Sequence, residues 1–249
     1  MHGIRLATGL FSLVALFLLN SVAAAQPMIE LGVGGTAFVP TADFGGTVND
    51  FLAGTKYGSA PGVGFHLATR FSLAGIPWRA SFNYAILKNS GAAATGSLEL
   101  TQKIFSTSLQ PEYVFSDDRS ATRLYVGAIL ELNNFGGDAT FAGISGIPDG
   151  IALISSSERL GVGAATGILL PLNDRITLDI ACSYHVMNPV GRRWESDPTI
   201  PPRLNAYQWL NDAADPLYAA GDPNHVIKEA RAIHSFQFSV SFFFAFSKL

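Results

Sequence analysis

Apolar side chains recur at every second position in eight segments of the chain. The clearest is FQFSVSFFFAF, residues 236–246, in which large apolar residues alternate with Gln237, Ser239 and Ser241. A period of two residues is typical of a β-strand, because successive side chains point to opposite faces. The alternation predicts strands over 28–38, 62–71, 78–87, 98–115, 123–132, 159–170, 176–186 and 236–246.

The fourth predicted strand, 98–115, does not keep its alternation throughout. Its apolar positions change parity between Leu100 and Phe105, whereas Leu109, Tyr113 and Phe115 share one parity. Two interpretations are open. Either a β-bulge inserts one extra residue and shifts the facing of the strand, or the strand extends beyond a membrane.

The connections between the predicted strands alternate between short and long. Short polar segments join the second strand to the third, the fourth to the fifth and the sixth to the seventh, at 72–77, 116–122 and 171–175. The longer connections are 39–61, 88–97, 133–158 and 187–232. This asymmetry is typical of outer-membrane β-barrels, which have tight turns at one end and long loops at the other. An even strand number predicts both chain ends at the end with the short turns.

Alternation alone does not say which face of the strands points outward, because a soluble lipocalin-like barrel also alternates. On a soluble barrel, the less apolar face would meet water and would be rich in Lys and Glu. Here that face consists mainly of Gly, Ala, Ser, Thr and Asn. We therefore expect the apolar face to contact lipid and the small residues to fill the interior of the barrel.

Six isolated charges lie on the face predicted to point inward: Glu30, Arg70, Arg79, Glu112, Glu131 and Asp179. An eight-stranded barrel leaves a bore just wide enough for side chains, so unpaired charges inside it would be costly. The charges therefore predict either a salt-bridged plug or a charged conduction path.

The composition favours a membrane barrel over a soluble protein. The mean hydropathy is +0.28, and 14% of residues are charged, against about 25% in ordinary soluble proteins. After the N-terminal segment, no run approaches the ~18 apolar residues of a transmembrane helix. The net charge of −3 without a basic block makes nucleic acid an unexpected partner. The single cysteine, Cys182, excludes an intrachain disulfide.

The N-terminus predicts export. Arg5 precedes an apolar run over 6–19, and Ala23 and Ala25 form the A-x-A pattern of a cleavage site, so we predict a signal peptide over 1–25. The apolar run is short for a retained membrane anchor, which needs about 20 residues. The mature chain, 26–249, is expected to be one outer-membrane barrel with long extracellular loops.

Three stretches resemble the eight-stranded OmpA/OmpX-type outer-membrane barrel family: SLQPEYVF (108–115), RLYVGAILELN (123–133) and GAATGILLPLNDRITLDIACSYHV (163–186). The resemblance implies an all-β fold, an eight-stranded antiparallel up-and-down transmembrane β-barrel, in contact with outer-membrane lipid and lipopolysaccharide. The closing strand resembles the signal recognised by the barrel-assembly machinery, which usually ends on Phe. Here Phe246 is followed by Ser247, Lys248 and Leu249. A resemblance to OmpW-like barrels allows an alternative function, a narrow channel for small or apolar solutes.

Some eight-stranded barrels are enzymes that act on lipid A, and one residue pair could suit such chemistry. Ser183 and His185 lie two apart on one strand face, so the imidazole could activate the hydroxyl. Their predicted facing is inward, away from lipid A, and the sequence places no carboxylate to orient the imidazole. We therefore expect a hydrogen-bonded pair in a non-enzymatic protein with no catalytic residue. His66 also faces inward without enough companions for a metal site, and no cofactor is expected.

The connection over 187–232 is far longer than usual, and loops of such length are often functional. It contains Trp194 and Trp209 among Pro and Asp residues. We expect it to cap the barrel mouth or to bind an external ligand. Arg192 and Arg193 are either contacts for lipopolysaccharide phosphates or solvated side chains. The expected function is an envelope-structural or surface-interaction role.

Overall fold

The computed structural model describes residues 29–53, 55–93, 95–115, 122–189 and 232–246. Eight strands contain most of them: β1 Ile29–Ala42, β2 Gly62–Leu73, β3 Ile76–Ala93, β4 Gly96–Phe115, β5 Arg123–Ala142, β6 Gly150–Pro171, β7 Ile176–Val186 and β8 Ile233–Phe246. A short helix, α1 (Val48–Leu52), lies between β1 and β2. No helix in these ranges is both long and apolar enough to cross a bilayer. The predicted signal peptide, 1–25, lies outside the described residues.

Each strand pairs antiparallel with the next strand in the chain, and β8 pairs with β1, so the sheet is a closed barrel. The closing pair of strands runs from Ile29 opposite Phe246 to Ala42 opposite Ile233. The predicted eight-stranded antiparallel up-and-down fold is therefore confirmed. We call the end with Ile29 and Phe246 the turn end, since the short connections lie there, and the opposite end the loop end.

The facing of the strands is also as predicted. The outward side chains of β8 are apolar and exposed: Phe236, Phe238, Val240, Phe242, Phe244 and Phe246. Gln237 and Ser241, between them, are buried in the interior. Because the side-chain period of a strand is two, one register places the whole apolar set on one face. The outer wall of the barrel therefore carries an apolar belt.

Two connections predicted to be long loops are mostly strand, and this prediction was wrong. β3 continues to Ala93 and β4 begins at Gly96, so 88–97 is a hairpin. β5 continues to Ala142 and β6 begins at Gly150, so only 143–149 of the predicted loop 133–158 is not strand. We call 88–101 and 133–159 the hairpin extensions, because they continue past the described pairing with β2 and β7.

The polarity of the two strand faces reverses in the hairpin extensions of β3, β4 and β5, which explains the error. Lys88 and Glu99 point outward there and are exposed, whereas Leu98 and Leu100 point inward and are buried. The apolar alternation that marks the belt therefore ends where the extensions begin. A search for strands with an apolar outer face misses the extensions of β3, β4 and β5, because their apolar face is the inner one. The extension of β6 differs, since Ile151 and Leu153 point outward and are exposed.

The reversal also decides between the two interpretations of the fourth strand. β4 pairs with β3 without a register shift from Gly96 to Pro111. Leu100 and Ile104 are buried on the same face as Gln110. The change of parity therefore arises because β4 extends beyond the apolar belt, into a part of the barrel where the inward side chains are apolar. It does not arise from a bulge. Within the described sheet, the register shift lies instead between β5 and β6, at Phe135 and Gly137.

Candidate functional site

Charged side chains fill the barrel interior near the turn end. Five of them form a chain of alternating sign, Glu30–Arg70–Glu112–Arg79–Asp179, which we call the ion chain. Its nitrogen–oxygen distances, in that order, are 2.8, 3.2, 2.7 and 2.6 Å. All five side chains are buried. The prediction of a salt-bridged plug is confirmed for these five charges, and the sixth, Glu131, has a different partner.

Two aromatic rings support the arginines of the ion chain. The Arg79 guanidinium carbon lies 4.9 Å from the centre of the Tyr125 ring and 5.2 Å from that of Phe243. The Tyr125 hydroxyl donates to Asp179 Oδ1 at 3.2 Å. A Cβ at Gly167 would lie 2.6 Å from the Tyr125 ring, so this glycine makes room for the tyrosine. Gly167 therefore allows the Tyr125 ring to pack beside the ion chain.

Phe243 is an interior residue that the sequence analysis missed. It is 1% exposed, and a Cβ at Gly32 would lie 2.6 Å from its ring. Phe243 has the same odd-numbered position in the alternation as Ser239 and Ser241, which point inward, and this position predicts that it also points inward. The prediction is easily missed, because Phe243 stands between Phe242 and Phe244, which both face outward.

Glu131 belongs to a second polar group in the middle of the barrel. Its Oε2 lies 2.8 Å from His185 Nδ1, and His185 Nε2 lies 2.8 Å from Ser183 Oγ. The expectation that no carboxylate orients the imidazole was therefore wrong. Glu131 is 54 residues from His185 and lies on β5, which only β6 separates from β7. The Glu131 side chain lies over Gly161 of β6, where a Cβ would be 2.5 Å from its Oε1, so the contact depends on the pairing of three strands and spacing along the sequence could not reveal it.

The order Ser–His–carboxylate is that of nucleophilic triads, but its surroundings do not suit a substrate. The adjoining cavity has a volume of about 30 Å³, which is room for one or two water molecules. Glu131 Oε1 also accepts from Asn133 Nδ2 at 2.9 Å, and Asn133 Oδ1 accepts from Ser106 Oγ at 2.5 Å. The group is therefore one part of a larger hydrogen-bonded interior network.

His66 lines the same cavity from β2. Its Nδ1 lies 2.7 Å from Asn83 Oδ1. Across the ranges that the structure describes, no three His, Cys, Asp or Glu side chains are grouped to hold a metal ion. The arrangement around His66 therefore offers hydrogen bonds to a small neutral molecule rather than a set of metal ligands.

Residues 43–61, which we call the plug segment, fill the loop end of the barrel. The sequence predicted only a loop here. One buried cluster inside the barrel contains Phe38, Phe44, Tyr57, Ala85, Leu87, Ile104, Phe135, Ile154, Met187 and Ile233. A second, between α1 and the hairpin extensions, contains Val48, Phe51, Leu52, Ala93, Leu98, Leu100, Ala139, Phe141, Ile144 and Ile147. Packed apolar side chains therefore occupy much of this end of the bore.

Side-chain amides fasten the plug segment to the wall. Asn89 Nδ2 donates to the carbonyl oxygens of Gly46 and Gly58, at 3.1 and 2.7 Å. Gln102 Nε2 donates to the carbonyl oxygen of Tyr57 at 2.8 Å, and its Oε1 accepts from the Ser59 hydroxyl. The bonds to Tyr57 and Gly58 satisfy backbone carbonyls that the apolar interior would otherwise leave without partners.

A capping box begins α1. The Thr47 hydroxyl accepts from the Asp50 backbone N–H, and the Thr47 backbone N–H donates to Asp50 Oδ2 at 2.7 Å. The second bond favours the ionised carboxylate and so lowers the pKa of Asp50, with a further contribution from the Thr47 hydroxyl. The helix start is therefore held most firmly when Asp50 is charged.

Several residues singled out in the sequence lie outside the described ranges. They include Arg192, Arg193, Trp194 and Trp209, together with most of the predicted surface loop 187–232. The expectations for lipopolysaccharide contacts and for an external ligand at this loop remain predictions.

No protein-family model and no curated protein matches this chain. Among solved structures, it is similar to Neisserial surface protein A, with 16% identity, coverage of 88% of this chain and 97% of that chain, and a TM-score of 0.47. It is similar to the outer membrane protein OprG from Pseudomonas aeruginosa, with 12% identity, coverage of 88% and 96%, and a TM-score of 0.47. It is also similar to a major outer membrane protein from Thermus thermophilus, with 14% identity, coverage of 88% and 99%, and a TM-score of 0.45. At these identities the likeness concerns the fold.

Proposed function

We propose that this chain is a non-enzymatic outer-membrane β-barrel protein with an envelope-structural or surface-interaction role. The observation that carries the proposal is a filled bore inside an apolar wall. The ion chain fills the turn end, the plug segment fills the loop end, and the outer face carries the apolar belt. Such a barrel is suited to hold surface segments in place and is poorly suited to pass solutes.

The apolar belt supports a position in a membrane. Leu130 and Phe238, in the belt, are 58% and 51% exposed, and soluble monomers rarely expose large continuous apolar surfaces. A closed barrel has no free strand edge, so it satisfies its backbone hydrogen bonds in lipid. Tyr113 and Phe115 lie at the turn-end border of the belt, where interfacial aromatic residues belong.

Export and orientation follow from the same proposal. The predicted signal peptide, 1–25, would direct the chain out of the cytoplasm, and the barrel-assembly machinery would insert it. By analogy with other outer-membrane barrels, the turn end then faces the periplasm and the hairpin extensions face the outside. The plug segment is thereby placed at the extracellular mouth, beside the predicted surface loop 187–232.

We expect no enzymatic activity, because there is little space around Ser183. A triad acts on a substrate that reaches its hydroxyl, and the cavity of about 30 Å³ is smaller than an acyl group with its leaving group. We expect a fluorophosphonate probe to leave Ser183 unlabelled in the folded barrel, with the Ser183→Ala variant as the control. Labelling of the wild type that is absent from Ser183→Ala would contradict this part of the proposal.

The location and the filled bore are tested together. We expect the protein in the outer-membrane fraction, with different electrophoretic mobility in boiled and unboiled samples. In planar bilayers we expect no large, steady conductance. Recovery as a soluble periplasmic protein would contradict the membrane assignment. A sustained nanosiemens-scale conductance would instead favour the channel alternative, because the plug segment would then have to leave the bore.

A further inference from the structure

Three buried polar groups without a hydrogen-bond partner among the described residues belong to side chains that line one cavity. They are His66 Nε2, Arg79 Nη2 and Gln237 Nε2. The three residues are 6%, 3% and 5% exposed. Buried polar atoms in folded proteins nearly always have partners, so three side chains with such atoms around one cavity point to a bound molecule.

The volume and the pattern of donors define that molecule. The cavity, about 30 Å³, has room for one or two waters and for little else. Arg79 Nη2 and Gln237 Nε2 are donors. Asn83 Oδ1 can only accept, so the facing His66 Nδ1 carries a proton and Nε2 of the neutral ring is an acceptor. The ligand must therefore accept two hydrogen bonds and donate at least one.

A small anion does not meet these requirements. An anion such as chloride accepts hydrogen bonds but cannot donate one to His66 Nε2. The interior charges also oppose it, because four carboxylates, Glu30, Glu112, Glu131 and Asp179, are accompanied by two guanidiniums, Arg70 and Arg79. Water accepts two hydrogen bonds and donates two, and it adds no charge.

We propose that this cavity binds a resident water molecule that accepts from Arg79 and Gln237 and donates to His66. Ser183 lines the same cavity, and its hydroxyl oxygen, 2.8 Å from His185 Nε2, keeps a lone pair that can accept the second proton of the water. The water then joins the Glu131–His185–Ser183 group to the ion chain through Arg79. The interior becomes one hydrogen-bonded network from Glu131 to Glu30.

The test is water-selective NMR on the full barrel in nanodiscs. We expect cross-peaks between water and the side-chain amide protons of Gln237, with the sign that marks a long-lived bound water. Gln102 is the matched control. It is another buried glutamine, 0% exposed, but its amide donates to the Tyr57 carbonyl inside the apolar plug, so we expect no such cross-peak. A missing cross-peak at Gln237 overturns the proposal.

Two further measurements separate water from an anion and from unconnected side chains. Exchange of chloride for gluconate should leave the Gln237 signals unchanged, and a saturating shift with chloride overturns the proposal in favour of an anion.

In a double-mutant cycle, His66→Leu and Gln237→Leu should be coupled by at least about threefold in the unfolding equilibrium constant. The control pair, Gln237→Leu with Ser106→Ala, should show independent effects. If the two substitutions act independently in both pairs, the proposal of a shared water is overturned.

Discussion

At the residue scale, Arg79 is the centre of the ion chain. It contacts Glu112 at 2.7 Å and Asp179 at 2.6 Å, and it lies over two aromatic rings. Removal of one member of a buried ion pair leaves the partner charged in a medium that solvates it poorly. Two carboxylates depend on this one guanidinium, so we expect Arg79 to be more sensitive to substitution than Arg175, which is exposed.

Arg79→Met should lower the free energy of unfolding by roughly 3–5 kcal/mol, because it leaves buried carboxylates uncompensated. The measurement is equilibrium unfolding of the refolded barrel in urea. Lys103→Met is the matched control, since the Lys103–Asp138 pair is 3.6 Å long and its side chains are 48% and 30% exposed. We expect that change to cost less than about 1 kcal/mol. Equal effects of the two substitutions would contradict a stabilising ion chain.

Asp50 gives the plug segment a dependence on pH. The folded pKa of Asp50 lies below the unfolded value, so its contribution to stability is complete above about pH 3.9 and is lost as the pH falls through the folded pKa. An NMR titration should place the midpoint of the Asp50 carboxyl below about 3.9, and the Thr47 amide signal should move with it. The Thr47 amide should not follow that titration in Asp50→Asn. A midpoint at or above the ordinary value would show that the capping box does not hold in solution.

At the element scale, the belt and the hairpin extensions place similar residues in different surroundings. Val240 lies in the belt, where β8 pairs with β1 and β7. Leu153 is 70% exposed but pairs with Asp138 in the extension of β5 and β6. The same apolar-to-charged substitution at the two positions therefore compares the cost of a charge in contact with lipid with its cost in contact with water.

Val240→Arg should cost about 2–4 kcal/mol in the free energy of unfolding, as expected for a charge near the bilayer midplane. Leu153→Arg, the control, should cost less than about 1 kcal/mol, because it lies beyond the belt. Both are measured by reversible unfolding in lipid vesicles. A small cost at Val240 with a large cost at Leu153 would mean that the membrane boundary has been placed wrongly.

The sequence predicts those elements whose pattern is local. Alternation located all eight strands, including β7 at its observed bounds of 176–186. It failed in the hairpin extensions, because their apolar side chains pack on the plug segment, which is distant in sequence. It also could not assign Glu131 to His185, since that contact passes over β6 and depends on how β5, β6 and β7 pair. The alternation shows which face of a strand a residue lies on, whereas its partner on that face depends on the strand order and register.

At the scale of the whole molecule, the wall closes without help from its longest connection. β7 and β8 pair directly from Ile176 opposite Phe244 to Val186 opposite His234. Replacement of residues 192–229 by a short Gly-Ser linker should therefore leave a folded barrel that still shows heat-dependent mobility. Binding to outer-membrane or external ligands, if the wild type has it, should be lost. A linker variant that does not fold would show that the excised residues are needed by the wall.

The ion chain also has a consequence for the order in which the barrel is assembled. Glu30, Arg70, Glu112 and Arg79 come from the first four strands, which are neighbours, so three of the four ion pairs can form within a nascent open sheet. The fourth, between Arg79 and Asp179, joins side chains 100 residues apart on β3 and β7. Loop-closure entropy delays such distant contacts. We therefore expect the Arg79–Asp179 pair to form last, when β1 and β8 meet at the edges of the sheet. Once formed, the pair should slow the reopening of the barrel between these two strands.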